Sequence, residues 1–317
     1  MRVGPEFRML KSNFPKVLIA GITLSLLILT GVAAVVVNKS AQEADRDFEA
    51  VILLGQIDEH LFRALTSSIV YMRHDGDSHE QLAEALASVN GLAGRVLVLD
   101  TGSSDDTIER ARAEGAEVFS RPNFPGFGPA KQEILDQCSS EWVLFLDADE
   151  RVTPELAAAI RKTVVADDRS FAGWRMPRRN HVLGRRMRSM GLDRDQPLRL
   201  FRRDCGRVSP TLVHEVVEVD GPVGQFHAPL DHHSMVSLDS YLKKIDLYTT
   251  LELEQNPRPL RPWHLVTIWP GTFLKWYLAR GGWRDGVPGL VWAGLTATGR
   301  FIRDFKVWIA HQPRHED

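Results

Sequence analysis

RVLVLDTGSSDDT at residues 95–107 and WVLFLDADE at residues 142–150 decide the fold of this chain. Each opens with a short apolar run that closes on an aspartate, Asp100 in the first and Asp147 in the second. Runs of this length bounded by turn residues read as strands. Working outward, SSIVYM (67–72) and AEVFS (116–120) carry the same signal. EQLAEALASV (80–89), DTIERARAEG (106–115) and AKQEILDQC (130–138) lie between the strands with helical spacing. Strand and helix signals in alternation imply a Rossmann-like α/β domain with a mostly parallel sheet and crossover helices. In such sheets ligands gather at the carboxyl ends of the strands, where both aspartates fall.

The turn after Asp100 is built of small residues that let a ligand approach the backbone. After the second strand come Asp147, Ala148, Asp149 and Glu150. Two carboxylates one residue apart can hold a hard divalent cation, which itself neutralises a diphosphate. Acidic turns after strands are also common without any ligand, so this triplet alone leaves both readings open.

The two strand ends, about 47 residues apart and in this order, resemble the inverting glycosyltransferases of family 2, which have the GT-A fold. VLVLDTGSSDDTIERARAEGAEVF is similar to their strand-turn-helix unit, and FPGFGPAKQEILDQCSSEWVLFLDADERVTPEL to their second nucleotide segment. RRNHVLGRRMRSMGLDRDQPLRLFRRDCGRV and LVHEVVEVDGPVG resemble the branch that adds glucose or a related sugar to the lipopolysaccharide inner core. The likeness spans roughly residues 67 to 308. It implies a nucleotide-sugar donor, a UDP-sugar above all, with Mg2+ or Mn2+ as cofactor. The acceptor it implies is a lipopolysaccharide core or other lipid-linked glycan. By resemblance, Asp100 reads the nucleobase, while Asp147 and Asp149 bind the metal and the sugar diphosphate. Lys131 sits where a basic residue can approach that diphosphate. Family members begin with a strand ending in an Asn-Glu type turn. Here the corresponding turn holds Arg73, His74, Asp75 and Asp77 instead.

An inverting transfer needs one carboxylate to accept the proton of the attacking hydroxyl. Asp195, in DRDQPLRLF, is the first candidate for that base and Glu215, in the VHE turn, the second. His214, His227, His232 and His233 can complete a metal shell or serve as ordinary core and surface histidines. Between Arg175 and Arg207 stand 11 arginines against Asp193, Asp195 and Asp204. Arginine binds phosphate through a planar fork of donors, so this segment reads as a basic acceptor-side surface.

The chain has 317 residues and a formal net charge of -2, from 39 Lys and Arg against 41 Asp and Glu. That balance gives no global pull toward nucleic acid, and no nucleic-acid partner is expected. Cys138 and Cys205 match neither a disulfide framework nor a zinc spacing. Val17 to Val37 is an uncharged run long enough to span a bilayer as a helix. Arg2, Arg8, Lys11 and Lys16 precede it, and Glu43, Asp45, Asp47 and Glu49 lie beyond it. The positive-inside rule would then place the chain beyond Val37 outside the cytoplasm, whereas nucleotide sugars are cytoplasmic. The expected location is the bacterial inner membrane, with the catalytic domain on the cytoplasmic face. Six of the eight tryptophans come after residue 262, interleaved with Lys275, Arg280, Arg284, Arg300, Arg303 and Lys306. Aromatic belts with basic flanks suit the bilayer interface. Pro270, Gly281, Gly282, Pro288 and Gly289 are expected to break this segment into short helices lying on the membrane. The expected organisation is an N-terminal segment over 1–66 with a transmembrane helix, a GT-A domain over 67–235 and a helical membrane-associated segment over 236–317. A reading of another class is a single-pass membrane protein whose domain binds a nucleotide sugar or a partner without turnover.

Overall fold

The structure, a computed structural model, describes residues 66–72, 78–103, 105–167, 169–255 and 261–312. The apolar run 17–37, the stretch 41–65 and the turn at Arg73, His74, Asp75 and Asp77 lie outside the described residues.

The strand order meets the α/β expectation. Strands β1 (Thr66–Met72), β2 (Arg95–Asp100), β3 (Glu117–Ser120) and β4 (Trp142–Asp147) run parallel in the order 4-1-2-3. β9 (Leu198–Arg202) adds to β4 antiparallel, followed by β6 (Gly173–Arg175) and β12 (Val223–Gln225), to make seven strands. Register sets Asp147 beside Tyr71 and Asp100 beside Met72. The two aspartates therefore share one sheet edge, two strand spacings or about 10 Å apart.

Alternation along the strands makes two cores. From β4, Trp142, Leu144 and Leu146 enter one cluster, and Val143 and Phe145 enter the other. The first is covered by α1 (Ser78–Val89), through Leu82, Ala85, Leu86 and Val89, and by α4 (Pro154–Ala166), through Leu156, Ile160 and Val164. The i, i+4, i+8 spacing of those last three gives α4 one apolar stripe. Its start is fixed by Thr153, whose hydroxyl accepts from the Leu156 amide at 3.2 Å, with Pro154 at the first helical position. The short α2 (Thr107–Ala113) adds Ala111 to the same cluster. On the opposite face lies α3 (Phe127–Asp136), which buries Phe127, Ala130, Ile134 and Leu135.

A second sheet orders β5 (Glu150–Val152), β13 (Leu230–Met235), β7 (Arg178–Val182) and β8 (Arg185–Arg186). It starts directly after the acidic triplet and sets His232 opposite Glu150. β10 (Gly206–Val208) and β11 (Val217–Val219) form a small hairpin-like pair. The chain is helical after Met235, in α5 (Leu238–Gln255), α6 (Pro262–Leu274) and α7 (Gly286–Ala310).

The C-terminal segment departs from expectation. Pro288 and Gly289 do not break it, because they occupy the first turn of a 25-residue helix, where a missing proline N–H costs no hydrogen bond. Pro270 likewise lies inside α6, and the interruption falls at residues 275–285, in a π turn and a 3-10 turn, where Gly281 and Gly282 stand as expected. Trp276 and Trp292 pack against Val182, Met187, Met190 and Met235. Among the described residues no helix is long and apolar enough to cross a membrane. Both cysteines are free, and burial pushes the Cys138 thiol up to about 11.

A close backbone approach ties α3 to the loop that ends in the VHE turn. The Phe127 and Gly128 amides donate to the Leu212 and Thr211 carbonyls at 2.9 and 3.0 Å. A side-chain carbon at Gly128 would fall far inside the contact distance of the Ser209 and Thr211 carbonyl oxygens. Gly128→Ala should therefore destabilise the fold by about 1–3 kcal/mol, the usual cost of overpacking. Urea unfolding would show a lower midpoint, and an unchanged midpoint would mean that the loop yields freely.

Candidate active site

A cavity of about 220 Å³ opens at the carboxyl edge of the sheet, with Lys131, Asp147, Asp149, Glu215, His232 and Lys244 in its wall. The strand β4 ends in Asp147, so the two acids of the triplet emerge where the parallel sheet stops. From α3 comes Lys131, only 4% exposed. Its ammonium donates to Asp147 Oδ1 at 2.7 Å and to Glu215 Oε1 at 2.6 Å. Burial works against the Lys131 charge, but Asp147 and Glu215 outweigh it and raise its pKa above the usual lysine value.

Around this pair the acids and bases interlock. Arg199 from β9 donates to Asp147 and, at 2.8 Å, to Glu150. Glu150, fully buried, takes Arg178 at 2.5 Å through one oxygen and the Asp147 amide at 2.9 Å through the other. Burial alone would raise the Asp147 carboxyl, but Arg199 and Lys131 hold it well below the ordinary carboxylate range. Asp149, half-buried, is likewise held low, by Lys244, 3.1 Å away, and by His232.

The tautomer of His232 is set by its bonds. Asn180 Nδ2 donates to the Leu192 carbonyl at 2.8 Å, which turns the amide oxygen toward His232 Nδ1 at 2.6 Å. His232 Nδ1 is thus the N–H donor. Nε2 faces Asp149 Oδ2 at 3.3 Å, two lone-pair atoms unless a proton or a cation lies between. This donor set fits Mg2+ or Mn2+. Such ions are held by one or two carboxylates plus substrate phosphates, and an orienting bond on the far ring nitrogen is the usual support of a metal-ligating histidine. Among the described residues, no three His, Cys, Asp or Glu side chains form a ready-made metal cage.

Lys131, Asp147, Asp149 and Glu215, expected from sequence, thus meet in one cavity. Asp100 does not line it. Its carboxylate, 2% exposed, accepts the amides of Gly102 and Ser103 at 3.3 and 2.9 Å and so closes its own turn. Asp195 does not line it either and is held at 2.8 Å by Arg178, which does. Five of the eleven arginines in the segment are not a free basic surface. Arg178, Arg179, Arg199, Arg202 and Arg207 pair with acids, most of them outside the segment. Arg202 also lies 4.4 Å over the Trp142 ring. Of the four histidines, His232 is the one whose ring faces the Asp149 carboxylate, while His233 also lines the cavity and donates its amide to the Asp149 carbonyl at 2.7 Å. Sequence reading missed Lys244, although Tyr241, Lys244 and Tyr248 stand at i, i+3 and i+7 and share one face of α5. That spacing was the available signal.

Residues 70–216 match the family described as Glycosyl transferase family 2. The lipopolysaccharide core biosynthesis glycosyltransferase LpsC of Rhizobium meliloti is 30% identical over 226 residues, 68% of this chain and 83% of that one. An uncharacterized glycosyltransferase of Rickettsia prowazekii is 25% identical over 70% of this chain and 80% of its own length. Glucosyl-3-phosphoglycerate synthase from Mycobacterium tuberculosis, solved with Mn2+, UDP and phosphoglyceric acid, is similar over 38% of this chain and 47% of its own. That similarity has 25% identity and a TM-score of 0.32. The chain belongs to glycosyltransferase family 2, with a GT-A-like α/β fold, and is a nucleotide-sugar-dependent glycosyltransferase.

Proposed function

We propose that this enzyme transfers a hexose, such as glucose, from a UDP-sugar to a lipopolysaccharide-core or other lipid-linked glycan, inverting the anomeric centre. The observation that carries the reading is the Lys131 ammonium shared by Asp147 and Glu215, because it joins a diphosphate-binding acid to a carboxylate able to take a proton. Asp149, with His232 beside it, would hold a divalent cation together with the donor phosphates, and Asp147 would lend its charge if it exchanged a lysine or arginine partner for the ion; when bound, the cation supplies positive charge for the departing diphosphate. Lys131 and Lys244 add charge on the same wall. Glu215 accepts the proton of the acceptor hydroxyl as its oxygen bonds to the anomeric carbon and the bond to the diphosphate oxygen breaks. One displacement with one base gives inversion. We assign the base to Glu215 over Asp195 because Glu215 lines the cavity of the acidic triplet. Asp100 keeps its family-implied part in nucleobase recognition as a support of the turn at 101–103.

We place the catalytic domain on the cytoplasmic face of the bacterial inner membrane, where nucleotide sugars are found. The span 17–37 would be its anchor and the C-terminal helices a second attachment. Support for the second comes from α6, a 13-residue apolar helix that buries none of its residues. Trp263, Val266, Leu274, Leu278, Trp283 and Val287 are exposed. Arg280 and Arg284 lie 4.4 and 5.2 Å over the rings of Trp276 and Trp283, placing cations among the aromatics.

Glu215→Gln keeps shape but cannot accept a proton. It should lower kcat about 10²- to 10⁴-fold with UDP affinity little changed, while Asp195→Asn should lose no more than a few-fold. Loss of turnover in Asp195→Asn alone would move the base to that residue. Asp149→Asn should abolish the Mn2+-dependent part of UDP binding in calorimetry; binding that ignores EDTA in the wild type would remove the metal from this reading. A chain lacking residues 1–66 should sediment with vesicles containing anionic lipid and lose that binding after Trp283→Ser with Val287→Ser. Equal recovery without vesicles, as a stable dimer, would instead make the apolar face a contact between copies.

A further inference from the structure

A second cavity, of about 330 Å³, lies between α5 and α7. Volumes of this size suit a small ligand. Its helical walls are one face of each helix, with Ile245 and Thr249 on α5 opposite Trp292, Leu295 and Gly299 on α7. Thr249 and Gly299, both small, leave this space unfilled. A side-chain carbon at Gly299 would meet only Ile245 atoms, at 3.6–3.7 Å. The other wall is charged, with Arg300 and Arg303 on α7 and His214 before Glu215. Arg303 and His214 are drawn to Glu252, at 3.7 and 3.0 Å. Among the described residues, Arg300 has no carboxylate within ion-pair distance.

The two cavities adjoin. His232, Ser234, Tyr241, Lys244 and Tyr248 line both. The VHE turn stands at their junction, with Glu215 in the first wall and His214 in the second. A ligand lying between α5 and α7 would therefore lie against the turn that carries Glu215.

We propose that the α5–α7 cavity is the acceptor subsite and that it takes a sugar carrying an anionic group, the ring against Ile245, Trp292 and Leu295 and the anion on Arg300. Apolar and aromatic side chains suit the C–H faces of a pyranose, and a guanidinium with no carboxylate at ion-pair distance, its charge reaching only toward Glu252, suits a phosphate or carboxylate. This rests on the transferase reading above, in which Glu215 deprotonates the acceptor.

The test uses the full chain with UDP-glucose as donor and deacylated lipopolysaccharide core oligosaccharide as acceptor, intact, phosphatase-treated or carboxyl-reduced. Arg300→Gln should raise acceptor KM about 10- to 100-fold, the usual scale for a lost charged hydrogen bond, with UDP affinity within about twofold by calorimetry. Arg300→Lys should recover part of that loss, and Gly299→Leu, which fills the groove, should raise KM without touching the charge. If phosphatase treatment weakens the wild type and erases its difference from Arg300→Gln, the anion is a phosphate; if carboxyl reduction does so, it is a carboxylate. Acceptor KM unmoved in both Arg300→Gln and Gly299→Leu, or a wild type indifferent to both treatments, overturns the subsite. Failure of the wild type to turn over UDP-glucose with or without acceptor overturns the proposed UDP-glucose donor.

Discussion

The ammonium of Lys131, buried between Asp147 and Glu215, is the interaction on which the site depends. A charge taken out of water costs several kcal/mol, and this cost is offset only where partners are close and well aimed. Four acids, Asp147, Asp149, Glu150 and Glu215, meet four bases, Lys131, Arg178, Arg199 and Lys244. These eight charges balance, which is what permits them to leave the solvent, and a fifth acid, Asp195, which pairs with Arg178, stands at the exposed margin. Removing one partner leaves an uncompensated charge, typically worth about 3–5 kcal/mol, so each member is held by the rest. In the proposed reading, a donor diphosphate with its divalent cation adds two negative charges and two positive ones. The same neutrality is kept when the site fills.

The part of this cluster that was legible in the sequence came from local pattern. Asp147 and Asp149 end an apolar strand, and such an edge is where a parallel sheet presents its ligands. Lys131 lies one crossover helix earlier, and its place near the diphosphate comes from the resemblance of that segment to the family's second nucleotide segment. The remaining partners come from far along the chain. Arg199 is 52 residues from Asp147, and Lys244 is 95 from Asp149. Their pairing is decided by β9 entering the sheet antiparallel beside β4 and by α5 folding back over the edge. No local periodicity announces either event, and only the shared face of Tyr241, Lys244 and Tyr248 hinted at the second.

Charge counting failed where pattern succeeded. Eleven arginines between residues 175 and 207 looked like a surface for phosphate because their partners are not nearby in sequence. Arg202, for example, finds Glu141 and Asp167 across the sheet and stacks on Trp142. An excess of positive charge in a segment therefore says little about a surface when the fold supplies the acids from elsewhere. The tetrad Arg185, Arg186, Arg188 and Arg194 is the exception. It belongs to the β8 turn and the adjoining loop, which bonds to the C-terminal helices through Asp285 and Arg280.

Helix α5 ties these parts into one device. His214 sits at φ 57°, a left-handed conformation that costs a non-glycine residue on the order of 1–3 kcal/mol. The turn holds because it is gripped from both sides. Val213 is fully buried, and the amides of Leu212 and Val213 donate to Gln255 Oε1 at 2.6 and 3.3 Å. His214 itself meets Glu252 at 3.0 Å. Gln255 and Glu252 form the last turn of the helix whose first turns supply Tyr241 and Lys244. The helix that places Lys244 on Asp149 thus also clamps the turn that aims Glu215 at Lys131. A displacement of α5 would change both ends of the cavity together, so the spacing between the diphosphate acids and the proposed base is set by one rigid element, not by two loops.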